Sequence, residues 1–236
     1  MTNIEGQVRR AVEDYNMIED GDKIAIALSG GKDSAAMCCA ISNLRRYFPK
    51  KFDCIALAIN AGFEGFDETV LKEQARIAGV ELIIVPSNIK QIVFDVRNED
   101  NPCSLCANLR RGMLNSIAKE HGCNKVALGH NEDDVLETFL MNFTYGGRID
   151  TLSPVSYMDR SDMTIIRPMI YTTEKSNKSF IKERQIPTMP IVCPVDKKTT
   201  REFMYNKIKE FEISNKQARA NMMGAIKRSK VSGWHE

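Results

Sequence analysis

The chain has 236 residues, 43% of them hydrophobic and 27% charged, with a net charge of +2 at pH 7. That length suits one large α/β domain or a domain with a helical appendage, and the balance excludes a disordered chain. No run approaches the ~18 apolar residues that a membrane helix needs, and the first residues lack a secretory pattern. A cytoplasmic location without membrane association is therefore expected.

Apolar side chains at Val8, Ala11, Val12, Tyr15 and Ile18 predict a helix over 4–18. Residues 23–28 form a short apolar run, as in a strand buried on both faces of a parallel sheet. A loop at 29–33 leads to a helix at 34–47, a strand at 52–59, a helix at 66–78 and a strand at 81–85. Residues 88–102 show no clear period, and loops of that length often carry function. A helix at 105–120, a strand at 125–128, a helix at 132–143 and a fifth strand at 163–166 follow. Three helices, at about 174–184, 198–211 and 214–227, finish the chain. Strands alternating with helices predict an α/β fold: an open parallel five-stranded sheet with helices on both faces, plus a helical C-terminal extension. The expected divisions are an N-terminal helix (1–22), a nucleotide-binding domain (23–170) and a basic helical region completing the site (171–236).

Charge is unevenly spread. Residues 197–230 hold ten Lys or Arg against three acids. A basic helical end on a nearly neutral body points to a polyanion such as RNA, with a solvated helix face as the plainer alternative. Lys197, Lys198 and Arg201 open this region and are candidate RNA contacts. On that reading, truncation at Asp196 would abolish RNA binding and spare ATP binding.

The first strand runs into Ser29-Gly30-Gly31-Lys32-Asp33-Ser34 and then a helix. Two glycines let backbone amides approach an anion closely, and a helix N-terminus adds partial positive charge. Lys32 adds a full charge, and Ser29 and Ser34 add hydroxyls. Asp33 is out of place for anion binding alone, and Mg²⁺ bridging its carboxylate and phosphates would explain it. The string is neither a Walker P-loop nor the Rossmann glycine pattern. It resembles the PP-loop of the N-type ATP pyrophosphatases, which cut ATP between its α and β phosphates and adenylate a carbonyl oxygen.

Seven cysteines without an export signal are read as thiols or ligands, with no disulfides expected. Cys38, Cys39 and Cys54 fall in predicted core elements and read as core filler. Cys103-Ser-Leu-Cys106 opens a predicted helix, where thiol pKa values fall. By itself the pair fits a redox dithiol, half of a zinc site, part of an iron–sulfur cluster or chance. Cys123 fits either a further ligand or a small residue at a turn. Open parallel sheets bind ligands at the ends of strands, which adds Asn60, Gly129, His130, Asp133 and Asp134 as ATP-site candidates. Helix capping is the alternative for the two aspartates.

Further strings follow in order: Leu109-Arg110-Arg111-Gly112, Leu128-Gly129-His130 with Asp133-Asp134, Tyr145-Gly146-Gly147, Arg167-Pro168 and Cys193. Together with the glycine loop and the cysteine pair, they closely resemble the tRNA 2-thiocytidine synthetase family from about residue 23 to 193. The resemblance implies a 4Fe–4S cluster on Cys103, Cys106 and Cys193, with one iron left open. It also implies ATP, Mg²⁺ and tRNA as ligands, homodimers, and a cysteine desulfurase or other sulfur donor. Lys32 and Asp33 would act in adenylation and the three cysteines in sulfur transfer, with Arg110 and Arg111 contacting phosphate or RNA. Two departures stand out: Cys193 precedes a proline where many relatives have a second C-x-x-C, and Asn131 follows His130 where a second histidine is frequent. Adenylation makes the C2 oxygen of a cytidine part of a good leaving group, and sulfur then replaces it. Rival readings are a related PP-loop sulfurtransferase acting on another base or a small molecule, a tRNA-Ile lysidine synthetase-like ligase, and a non-catalytic, metal-stabilised RNA-binding module.

Overall fold

A computed structural model describes residues 3–97, 102–190 and 200–235. Five strands run parallel: β1 (Lys23–Ala27), β2 (Asp53–Asn60), β3 (Glu81–Pro86), β4 (Lys125–Ala127) and β6 (Met163–Ile166). A sixth, β5 (Val155–Met158), pairs antiparallel with β6 at the sheet edge, giving the order β3-β2-β1-β4-β6-β5. The expected five-stranded sheet thus gains an edge strand. Its short sequence, half-exposed along most of its length, carries neither a buried apolar run nor a clear alternation.

The inner strands face two ways. Ile24 and Ile26 of β1, and Cys54, Ala56 and Ala58 of β2, enter the larger core. Ala25, Ile55 and Leu57 enter the smaller one. The larger core is covered by α1 (Ile4–Asp14), α2 (Lys32–Leu44), α3 (Glu68–Ala78) and α6 (Glu174–Glu183). The smaller lies under α4 (Pro102–Glu120), whose opening proline has no amide to leave unsatisfied in the first turn. Within the loop expected at 88–102, residues Gln91–Val96 form a π-helical turn.

Helix ends follow local chemistry. Asp67 accepts the Thr69 amide at the start of α3, and Gly79 closes that helix in the left-handed region (φ +68°). At α5 (Glu132–Thr144), Asn131 and Asp134 form a reciprocal capping box, and Thr173 and Ser176 do the same for α6.

The last two helices, α7 (Thr200–Ser214) and α8 (Ala218–Ser229), do not form an appendage. Ile208, Ile226 and Trp234 belong to the same core as Ile4 and Ile41. Trp234 is 1% exposed, and its indole N–H donates to the Leu152 carbonyl at 2.9 Å. The three expected sequence segments therefore share one core. This packing argues against the expectation that truncation at Asp196 would spare ATP binding, because core side chains would be removed with the basic ones.

Candidate functional site

After β1 the chain winds outward through β2 and β3, and β4 then starts the other half of the sheet on the opposite side of β1. The strand order therefore reverses between β1 and β4, where open α/β sheets place their ligands. The glycine loop lies there. Gly30 adopts φ +82°, which its neighbours with a Cβ would rarely adopt. Gly31 stands at the N-cap of α2 and makes no side-chain cap bond, so the first-turn amides lack the usual N-cap acceptor. Ser34 ties the loop together: its Oγ accepts the Ser29 N–H at 3.1 Å and donates to the Gly31 carbonyl at 3.0 Å. A Cβ on Gly129 would stand 3.2 Å from the Ser34 nitrogen, so the β4–α5 turn can approach the loop this closely only with glycine.

Two cavities flank the loop. The first, about 400 Å³, lies at the switch point. Leu28, Leu57, Ile59, Leu128 and Ile165 make it largely apolar, and His130, Asn115, Arg110 and Arg111 add polar groups. The second, about 420 Å³, is lined by Lys32, Asp33, Phe63, Phe66, Met189 and Cys106. Ser29, Asp33, Ser34, Ile59 and Arg110 border both.

Lys32 is held between two carboxylates, Asp33 at 3.1 Å and Glu174 at 3.0 Å. Burial opposes its charge, but these partners outweigh burial and raise its pKa. The other Asp33 oxygen accepts the Asn177 amide at 2.8 Å. Asn177 is 0% exposed, and its own oxygen has no hydrogen-bond partner among the described residues. Glu174, Asn177, Gln74 and Met189 carry no sequence motif. The Thr173–Ser176 cap, which sets Glu174 in the first turn of α6, is the one local signal that bears on them. Gln74 donates to the Gly30 carbonyl at 3.0 Å, and the Met189 N–H donates to the same oxygen at 2.9 Å. The segment after α6 is thus strapped onto the phosphate loop.

His130 faces the first cavity, with Nδ1 sealed from solvent and lacking a hydrogen-bond partner among the described residues. Burial, with Arg167, Arg201 and Arg111 nearby, pushes its pKa down to about 3. The ring is therefore neutral near pH 7 and offers one donor and one acceptor. Arg110 and Arg111 border the cavities and have no ion-pair partner among the described residues.

Other expected site residues are placed differently. Asn60 ends β2, but its side-chain oxygen accepts the Gly62 N–H at 2.9 Å, and Leu57 and Ile59 line the cleft in its stead. Asp134 is the capping partner of Asn131 and pairs with Arg201 at 2.9 Å. Asp133 accepts the Glu174 N–H at 2.7 Å and pairs with Arg219 at 2.6 Å. Neither aspartate lines either of the two cavities that flank the loop: the strand-end rule places their backbone correctly, but the incoming helices claim their carboxylates. Arg201, expected on RNA, spends its charge on Asp134 and Glu137. Lys197, Lys198 and Cys193 lie outside the described residues.

The cysteines sort by burial. Cys38, Cys39 and Cys54 are buried core thiols, and burial pushes the last two up to about 11. Cys123 is 4% exposed in the smaller core, past the far end of α4, roughly 20 Å along the helix from Cys106. Cys103 and Cys106 stand three apart on the first turn of α4, one exposed and the other beside the second cavity. Cys106, together with Phe63, Phe94, Leu105 and Leu109, packs against a small buried apolar cluster of Ala61, Ile89 and Val93. Two thiols on one helix face beside apolar cover fit an iron–sulfur group. Asp33, facing the cavity beside Lys32, is the residue that would hold Mg²⁺.

The model of the PP-loop domain family matches residues 1–210. A tRNA-cytidine(32) 2-sulfurtransferase of Geobacter metallireducens is 36% identical over 94% of this chain and 88% of its own length. Another, of Ralstonia pickettii, is 38% identical over 89% of this chain and 68% of its own. Among solved structures, the U34-tRNA thiolase NcsA from Methanococcus maripaludis, with its [4Fe-4S] cluster, superposes with a TM-score of 0.78. That match has 24% identity and covers 95% of this chain and 78% of NcsA, a likeness of fold. The NH₃-dependent NAD synthetase from Campylobacter jejuni shares the fold more distantly, at a TM-score of 0.51. The glycine loop at the switch point and the match across most of the chain agree: the chain belongs to the PP-loop family and, within it, to the tRNA-cytidine(32) 2-sulfurtransferases.

Proposed function

We propose that the protein is an ATP-dependent tRNA sulfurtransferase that adenylates the C2 oxygen of a cytidine, at position 32 as in its relatives' names, and exchanges it for sulfur. One observation carries this reading: a single cavity is lined both by the phosphate loop, through Lys32 and Asp33, and by Cys106. The activating half and the sulfur half of the reaction then share one chamber.

The adenosine of ATP occupies the apolar first cavity, with neutral His130 as its polar contact. The α2 amides and Lys32 hold the departing β and γ phosphates, where negative charge builds. Lys32 exchanges Glu174 for phosphate as ATP enters. The cytidine oxygen attacks the α phosphorus and pyrophosphate leaves. Arg110, which borders both cavities, faces the α phosphate between them. Cys103, Cys106 and Cys193 would hold a 4Fe–4S cluster, which would supply the sulfur for C2, and AMP carries the oxygen away. Asp33 would hold Mg²⁺, which would neutralise phosphate charge. Arg111, Lys197 and Lys198 are the basic residues proposed for tRNA. A cysteine desulfurase or another donor renews the sulfur, and the protein works as a cytoplasmic homodimer.

The test is nucleoside mass spectrometry of tRNA incubated anaerobically with the reconstituted protein, ATP, Mg²⁺ and sulfide. The expected products are 2-thiocytidine, AMP and pyrophosphate in equal amounts, with Lys32→Ala reducing all three at least 100-fold. A different thionucleoside would reassign the base, and no pyrophosphate would end the enzyme reading.

A further inference from the structure

The second cavity has two chemical ends and an aromatic wall between them. One end is the phosphate loop at Lys32 and Asp33, and the other is Cys106. If thiolation proceeds as proposed above, the reacting base must lie between them, because its oxygen meets phosphorus at one end and its carbon meets sulfur from the other. The wall there is the turn between β2 and α3, which presents Phe63 and Phe66 to the cavity.

That turn is held in shape. Gly62 and Gly65 on either side of Phe63 have φ of +82° and +80°. The Gly62 N–H is bound by Asn60, and the Ala61 carbonyl accepts the Lys90 N–H at 2.8 Å. The Phe63 ring rests edge-to-face on Phe94, with centroids 5.9 Å apart. On the other side, Phe66 packs against the larger core, and the next amide, of Asp67, meets the Met189 sulfur at 3.1 Å. Both rings remain half-buried on the cavity side. A base taken out of RNA presents two apolar faces and polar edges, and aromatic side chains are its usual support. Adenine does not compete for this wall, since the apolar cavity at the switch point lies across the loop.

We infer that Phe63 and Phe66 form the platform against which the flipped-out target pyrimidine stacks during adenylation and sulfur exchange. The inference rests on the thiolation reading. Leucine keeps the apolar bulk while removing the π face, so Phe63→Leu and Phe66→Leu should fold. Each should raise KM for tRNA about tenfold, the scale of one lost base–aromatic stack. Phe63→Tyr and Phe66→Tyr should stay within about twofold of the parent. The dissociation constant for ATP and the cluster absorbance after anaerobic reconstitution should be unchanged in all four, and Tm should fall by no more than about 5 °C for the lost aromatic packing. Unchanged tRNA kinetics in the Phe63→Leu/Phe66→Leu double variant, in a parent that makes the thionucleoside, would overturn the platform alone. Weakened ATP binding would assign the wall to adenine, and loss of cluster would make it a shield; either result overturns the inference. A parent protein that makes no thionucleoside overturns both readings together.

Discussion

His130 shows how much a single position can owe to its surroundings. In the sequence it is one residue after Gly129, with no indication of charge state. In the fold it sits behind the loop, where burial first, and then nearby Arg167, Arg201 and Arg111, disfavour a positive charge on the ring. A pKa near 3 means a neutral imidazole throughout the working range. The ¹³C and ¹⁵N shifts of His130 should therefore show no titration between pH 5 and 8, and a midpoint above 5 would contradict the buried geometry. Lys32 is the opposite case. Its role as a cation was legible from its place after two glycines, but its resting partner Glu174 lies more than a hundred residues away in sequence and could not be foreseen.

The docking of α5 on α7 belongs to the scale of elements. Glu137 on α5 is buried, and burial followed by neighbouring Asp134 raises its pKa to about 7, against the pull of Arg201 on α7; Asp133 adds a smaller upward push. Between pH 4.5 and 7 the folded state holds a proton that the unfolded chain has released. That contribution to stability is complete below about pH 4.5 and lost as pH rises through 7. Glu137→Gln removes the titration. Relative to the parent it should gain about 1–3 kcal/mol on going from pH 5 to pH 8, read as a widening gap in urea midpoints. A constant gap would mean that Arg201 compensates Glu137 fully. The elements themselves were largely legible, since the apolar runs at 23–28 and 52–59 and the helical spacing at 4–18 recur in the fold. The antiparallel β5 was not, because a short, mostly half-exposed edge strand owes its existence to β6 rather than to its own pattern.

For the whole molecule, the C-terminal region decides how the protein can be dissected. Met204, Ile208, Met223, Ile226 and Trp234 are all buried. At about 1.5–3 kcal/mol for each large side chain, their removal rivals the roughly 5–15 kcal/mol that holds a domain folded. Truncation at Asp196 should therefore give an aggregated or molten protein that has lost ATP binding together with tRNA binding. Circular dichroism melting with nucleotide titration would check this. A truncated protein that melts cooperatively and keeps its ATP affinity would show the helices to be dispensable. Much of the basic charge here is also spent internally, as in Lys207–Glu210, Lys209–Glu212 and Arg219 with three carboxylates.

The sequence by itself determined the chemistry that depends on short range. Gly30 and Gly31 after a buried strand specify a phosphate loop, and Cys103 and Cys106 at a helix start specify a pair of thiols on one face. The alternation of strands and helices specifies a parallel sheet. Each follows from backbone freedom or periodicity within a few residues. Only the tertiary structure decided which side chains remain available to a ligand. Asp133, Asp134 and Arg201 read as site residues, yet α6, α7 and α8 neutralise them, while Glu174, Asn177 and Met189 reach the loop, and Phe63 lines the cavity beside it, with no motif beyond the cap of α6. Availability depends on what packs against a group across the whole fold, and that information is spread along the chain rather than written at the residue.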